Sequence, residues 1–98
     1  MPRIIWSPTS RTDLAAIRAY IAKDAPRAAD AFIRRLTRTV RRLKRFPMSG
    51  SVIAELGTTE LREIYCGSYR IIHRVVDRKV EIVTVRHAAR LLGPDFLP

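Results

Sequence analysis

The chain predicts an α+β fold, a single small domain of order β-α-α-β-β-β(-β), with two N-terminal helices packed on one face of a mostly antiparallel sheet. Three observations lead there. The first is a long alternating stretch from Tyr69 to Arg86, broken once at Asp77-Arg78; period-two alternation on both sides of a two-residue break is the pattern of a β-hairpin. The second is a pair of segments in the first half with apolar residues at helical spacing, each opened by a proline. The third is size: 98 residues can bury one core but not two, so residues 1–98 are read as one domain.

Arg3 to Trp6 is expected as a short first strand. Ser7-Pro8 then opens a helix, with Ser7 as N-cap and Pro8 in the first turn, where a missing N–H does no harm. Leu14, Ile17, Tyr20 and Ile21 follow at helical spacing, and the helix ends near Lys23. Asp24-Ala25-Pro26 restarts the chain as a second helix. Its apolar face is Ala29, Phe32, Ile33, Leu36, Val40 and Leu43; its opposite face is Arg34, Arg35, Arg38, Arg41, Arg42 and Arg45. Pro47 should stop it. A short strand near Val52 to Glu55, a turn at Gly57-Thr58-Thr59 and a strand from Leu61 to Tyr65 follow. The hairpin strands are Tyr69–Val76 and Lys79–Arg86, and a short helical tail is expected from His87 to Leu92.

Two charges on one strand face are costly to bury unpaired. Arg70 and Arg74 are therefore expected to face outward, and Tyr69, Ile71, His73 and Val75 inward against the helices. In the partner strand Val83 and Val85 read as core, which places Ile82, Thr84 and Arg86 outside with Arg70. Tyr20, Trp6 and Phe32 read as core. His73 reads as a hydrogen-bonded core group, and Arg70 as a functional cation or the structural partner of Glu63 or Glu81.

Charge is the second strong signal. The net charge is +10, and the first 50 residues hold 12 Lys/Arg against 3 Asp/Glu. Such a field favours nucleic acid or an acidic protein partner. Seven cations lie between Arg34 and Arg45 with no acid among them, although like charges at i, i+4 repel. Arg34, Arg38, Arg41, Arg42 and Arg45, with Arg90 in the tail, are therefore the candidate partner-binding residues. A solvated face is the plainer reading of the same stripe.

Several classes are disfavoured. No apolar run approaches the length of a membrane span, and the N-terminus lacks the pattern of a signal peptide. The single Cys66 cannot form an internal disulfide and suits a reducing, cytoplasmic compartment; it reads as structural. The two histidines, His73 and His87, have no metal-ligand spacing, so neither a metal nor a cofactor is expected.

The segments IIWSPTSRTDLAAIRAYIAKDAP and LREIYCGSYRIIHRVVDRKVEIVTVRHAARLL together resemble the RelE/ParE superfamily of bacterial toxins, with VEIVTVRHAARLL the most specific piece. The resemblance implies the toxin of a type II toxin–antitoxin system, neutralised by an acidic antitoxin protein and meeting operator DNA only through it. Members divide by target. RelE-type toxins are ribosome-dependent endoribonucleases that cut mRNA. Their chemistry requires a base for the 2′-hydroxyl, cations for the phosphorane and an acid for the leaving oxygen. By resemblance, Arg70, Arg86 and His87 would supply those roles, but no tyrosine follows Tyr69 to match the RelE proton donor. ParE-type toxins act by binding and poison DNA gyrase. The RHAAR tail and the missing tyrosine favour the ParE-type reading; a nontoxic corepressor of the antitoxin is a third.

Overall fold

The computed structural model describes residues 2–53, 56 and 60–90. Its elements are β1 (Arg3–Trp6), α1 (Pro8–Ala22), α2 (Pro26–Arg41), a 3₁₀ turn (Arg42–Lys44), β2 (Ser51–Val52), β3 (Arg62–Cys66), β4 (Tyr69–Val76) and β5 (Lys79–His87). The strands form one sheet in the order β1-β5-β4-β3-β2. Only β1 runs parallel to its neighbour, pairing Ile4 with Val80 and Trp6 with Ile82; the other contacts are antiparallel.

Local chemistry sets the boundaries. The Ser7 hydroxyl oxygen accepts from the Ser10 N–H at 3.0 Å and caps α1. Pro26 occupies the first turn of α2. The helix tightens into the 3₁₀ turn before Pro47, the usual way a last helical turn satisfies its carbonyls. Asp77 and Arg78 both adopt positive φ, 50° and 63°, the type I′ geometry that matches the twist of a two-residue hairpin.

The main core lies between the helices and the sheet. Ile17, Leu36, Val40 and Leu43 pack on Cys66, Ile71, Val80, Ile82 and Val85, with Trp6, Phe32 and Tyr69 at its margin. A smaller cluster of Ile53, Leu61 and Ile72, with Leu56 and Val83 against it, covers part of the sheet's other face. Ile72 is thus outward by alternation yet buried.

Tyr20 is 72% exposed, against the expectation that it belongs to the core. Ser10, Leu14, Ile17 and Ile21 form one narrow stripe, and at 100° per residue Tyr20 lies roughly 90° from its centre. Val75, one residue from the end of β4, is also exposed.

The largest correction concerns β5. Ile72 pairs with Thr84, but His73 pairs with Ile82, so Val83 is an extra residue in a β-bulge. Alternation shifts across it, and Val80, Ile82 and Val85 all enter the helix-side core. Ile82 is therefore inside and Val83 joins the smaller cluster. The Asp13 carboxylate closes the bulge, accepting from the Thr84 hydroxyl and from the Val85 N–H at 3.0 Å.

The tail expected as helix begins differently. His87 still belongs to β5, and Ala88–Arg90 form a turn in which the Arg90 N–H donates to the His87 carbonyl at 3.0 Å. Leu91 and Leu92 lie outside the described residues, as do Ala54, Glu55 and the expected turn at Gly57-Thr58-Thr59.

Candidate functional site

Two cationic surfaces were legible in the sequence, and they are built differently. On the outer face of the sheet, register places Tyr65 opposite Arg70 and Arg70 opposite Arg86. Arg70 is only 5% exposed. Its guanidinium meets the buried Glu63 carboxylate at 3.3 Å and also donates to the Arg90 carbonyl. Glu63 accepts in addition from the Tyr65 phenol. One carboxylate thus holds both an arginine and a tyrosine, and lets Arg70 lie opposite Arg86 without two bare charges meeting. Further along the hairpin, Arg74 pairs with Glu81 at 2.7 Å.

His87 is not part of this row. It pairs with Tyr69 on the helix side of the sheet and packs edge-on to that ring with centroids 5.5 Å apart. Tyr69 in turn packs against Phe32 of α2. The His87 Nδ1 accepts from the Ala89 N–H at 3.1 Å, so that nitrogen carries no proton in this arrangement. Arg70 and Arg86 share a face, and His87 points to the other.

His73 is fully buried, and its Nε2 meets the Ser49 carbonyl at 3.1 Å. A carbonyl can only accept, so Nε2 is the protonated nitrogen. Burial holds its pKa below the ordinary 6.5, the Ser49 carbonyl opposes that shift, and Arg62 adds to it. Arg62 donates to the Gly50 carbonyl at 3.2 Å. His73 and Arg62 together pin the loop entering β2.

The second cationic surface is α2. Arg34, Arg35, Arg38, Arg41, Arg42 and Arg45 are all exposed, and among the described residues none has an ion-pair partner. Arg90 is exposed as well, with its carbonyl on Arg70. Cys66 is buried in the core. Among the described residues no cluster of metal-ligating side chains occurs, and no helix is long and apolar enough to cross a membrane.

Two contributors escaped the sequence reading. Tyr65 alternates in phase with Glu63, which was the available signal that it shares a face with Arg70. The contact of Asp13 with the bulge had no sequence signal, because it joins residues 71 and 72 positions apart.

Two helices laid on one face of a five-stranded sheet, in a chain of net charge +10, define a small basic α+β protein. The chain belongs to the family described as ParE toxin of type II toxin–antitoxin system, parDE, whose model matches residues 4–92. It is 38% identical over 92 residues to Toxin RelE2 of Caulobacter vibrioides, covering 93% of this chain and 100% of that protein. It is 37% identical over 86 residues to Putative toxin Y4kP of Sinorhizobium fredii, covering 88% of each.

Among solved structures, the chromosomal ParDE system from P. aeruginosa superposes with a TM-score of 0.78 at 16% identity, over 89% of this chain and 96% of the other. The RelBE2 toxin–antitoxin complex of Mycobacterium tuberculosis gives 0.55 at 23%, over 89% and 99%. At those identities the likeness is one of fold. The protein is the toxin of a type II toxin–antitoxin system.

Proposed function

We propose that this toxin acts by binding rather than by cutting, as a ParE-type poison of DNA gyrase that blocks replication. In this reading an acidic antitoxin encoded beside it neutralises it in the cytoplasm, and operator DNA is met only through that antitoxin. One observation carries the reading: the three side chains that an mRNase would need do not converge. Arg70 is held by Glu63, and His87 faces the opposite side of the sheet from Arg70 and Arg86. A catalyst needs its proton-transfer group within hydrogen-bond reach of the reacting atoms, and His87 turns instead onto Tyr69.

One observation favours the RelE-type alternative. The Tyr65 phenol lies on the face of Arg70 and Arg86, bonded to Glu63, and a phenol can move a proton. It would supply the donor that no residue after Tyr69 provides.

Induction of the toxin without its antitoxin separates these readings. Growth, plasmid supercoiling and mRNA 5′ ends are followed together. A gyrase poison arrests growth with lost supercoiling and intact message. Cleavage of ribosome-bound message with normal supercoiling, abolished by Tyr65→Phe or Arg70→Ala, would replace that reading with the mRNase. Unchanged growth would leave only the corepressor role.

A further inference from the structure

Residues 49–53 form a strap along one edge of the sheet. Its β2 part is two residues long and pairs with β3 alone. Gly50 lies so close to β3 that a Cβ on it would collide with the Glu63 carbonyl oxygen, and its φ of +88° is one that favours glycine. Two carbonyls hold the strap down: His73 Nε2–H donates to that of Ser49, and Arg62 donates to that of Gly50. Ile53 then enters the smaller cluster beside Leu61 and Ile72.

The two donors are neighbours, register partners on adjacent strands. Each also has a buried nitrogen with no hydrogen-bond partner among the described residues, Arg62 Nε and His73 Nδ1. With Nε2 carrying the proton, Nδ1 is a bare lone pair, which a guanidinium N–H tolerates beside it. A second proton on the ring would turn that lone pair into an N–H and set two cations side by side away from water. Of the charged groups around the ring, Arg62 is the one whose charge bears on it. From β5 the ring faces Ile82. On the helix side, the cleft that contains Ser49 is lined by Thr39, Arg42, Leu43, Phe46 and Ile64, so its one charged group is another cation. Glu63, next to Arg62 in β3, and the Arg74–Glu81 pair lie on the opposite face of the sheet.

We propose that residues 49–53 are an acid-released strap with His73 as its trigger: protonation of the buried ring beside Arg62 frees the Ser49 and Gly50 carbonyls and lifts β2 from β3, while the rest of the sheet stays folded. Release brings ring and guanidinium to water and ends their repulsion. It also unseats Ile53 and makes β3 an open sheet edge, a template for a further strand. Burial already holds His73 below 6.5, so the open form takes up the proton first and acid favours opening. The strap yields before the rest because two residues of ladder hold it, whereas β4 and β5 pair along their whole length.

The test is amide hydrogen exchange of the purified toxin, followed by NMR at about pH 7.5 and about pH 5, either side of the ordinary 6.5, with each rate divided by the intrinsic rate at that pH. The Ile53 N–H, which donates to the Leu61 carbonyl, reports the strap; the Ser7 N–H, which donates to the Ile82 carbonyl, reports the far side of the sheet. In acid Ile53 is expected to lose protection by up to about 30-fold, the ceiling for a ring of ordinary pKa in the open form, while Ser7 keeps its own. His73→Gln, neutral throughout, should remove that loss. Arg62→Gln should loosen the strap near neutral pH yet shrink the acid increment, because its cation no longer opposes the charged ring; a merely structural contact would lower protection equally at both pH values. Arg62 is half-buried, so this variant stays informative if His73→Gln fails to fold. Equal losses at Ile53 and Ser7 would mean global unfolding and would overturn the proposal. So would unchanged Ile53 protection in acid, or an acid loss that survives His73→Gln. None of these outcomes alters the toxin reading.

Discussion

The two arginine-bearing faces of this toxin have opposite electrostatic designs. On the sheet two arginines have an answering carboxylate: Arg70 has Glu63 and Arg74 has Glu81. On α2 a run of exposed arginines has none among the described residues. The difference follows from burial. A guanidinium that loses its water must be paired, whereas one in solvent can stand beside others at a small cost. The paired sheet arginines Arg70 and Arg74 therefore belong to the architecture, and the α2 arginines stay exposed to solvent.

Substitutions should move the two faces in opposite directions. The largest effect is expected from Glu63→Ala, which removes the carboxylate that the buried Arg70 and the Tyr65 phenol share. Breaking a buried pair from one side costs about 3 kcal/mol or more, readable as a lower urea midpoint. A loss below about 1 kcal/mol would mean that Arg70 finds water and is not architectural.

The next effect is a dependence on pH. The folded protein holds His73 below its ordinary 6.5, chiefly because it is buried. The unfolded chain therefore takes up this proton first, and acid favours unfolding. Stability should be full above pH 6.5 and fall as pH drops below it, levelling once the folded form also protonates. Melting temperatures at several pH values check this, and His73→Gln should remove this part of the slope.

Arg78 adopts a positive φ of 63° without being glycine. Arg78→Gly should stabilise the fold by about 0.5 kcal/mol, the left-handed strain outweighing the added chain entropy. The smallest effect is of opposite sign to the first. Arg38→Gln removes repulsion with Arg34 and Arg42 and should stabilise the free toxin by about 0.3–0.5 kcal/mol at low salt. Destabilisation there would show that α2 has an internal partner and would break the contrast between the faces.

The halves of the fold were not equally legible in the chain. β1, β4, the cap at Ser7 and the I′ hairpin lie where short-range patterns place them, because capping, proline geometry and turn chemistry act within a few residues. The pairing of Arg70 with Glu63 was one of two open choices, and register decided it. The site was less legible: Arg86 and His87 are adjacent in sequence, yet strand alternation sends them to opposite faces.

By itself the sequence determined the α+β class, the helix starts, the basic face of α2 and the membership of the toxin family. Each of these rests on local spacing, on net charge or on motif order. Only the tertiary structure decided which strand residues are inside. A single bulged residue at Val83 shifts the alternation of β5, admits Ile82 to the core and brings the Asp13 carboxylate to Thr84 and Val85. A bulge arises from the fit between two strands and a helix far away in the chain. No periodicity within one segment encodes it.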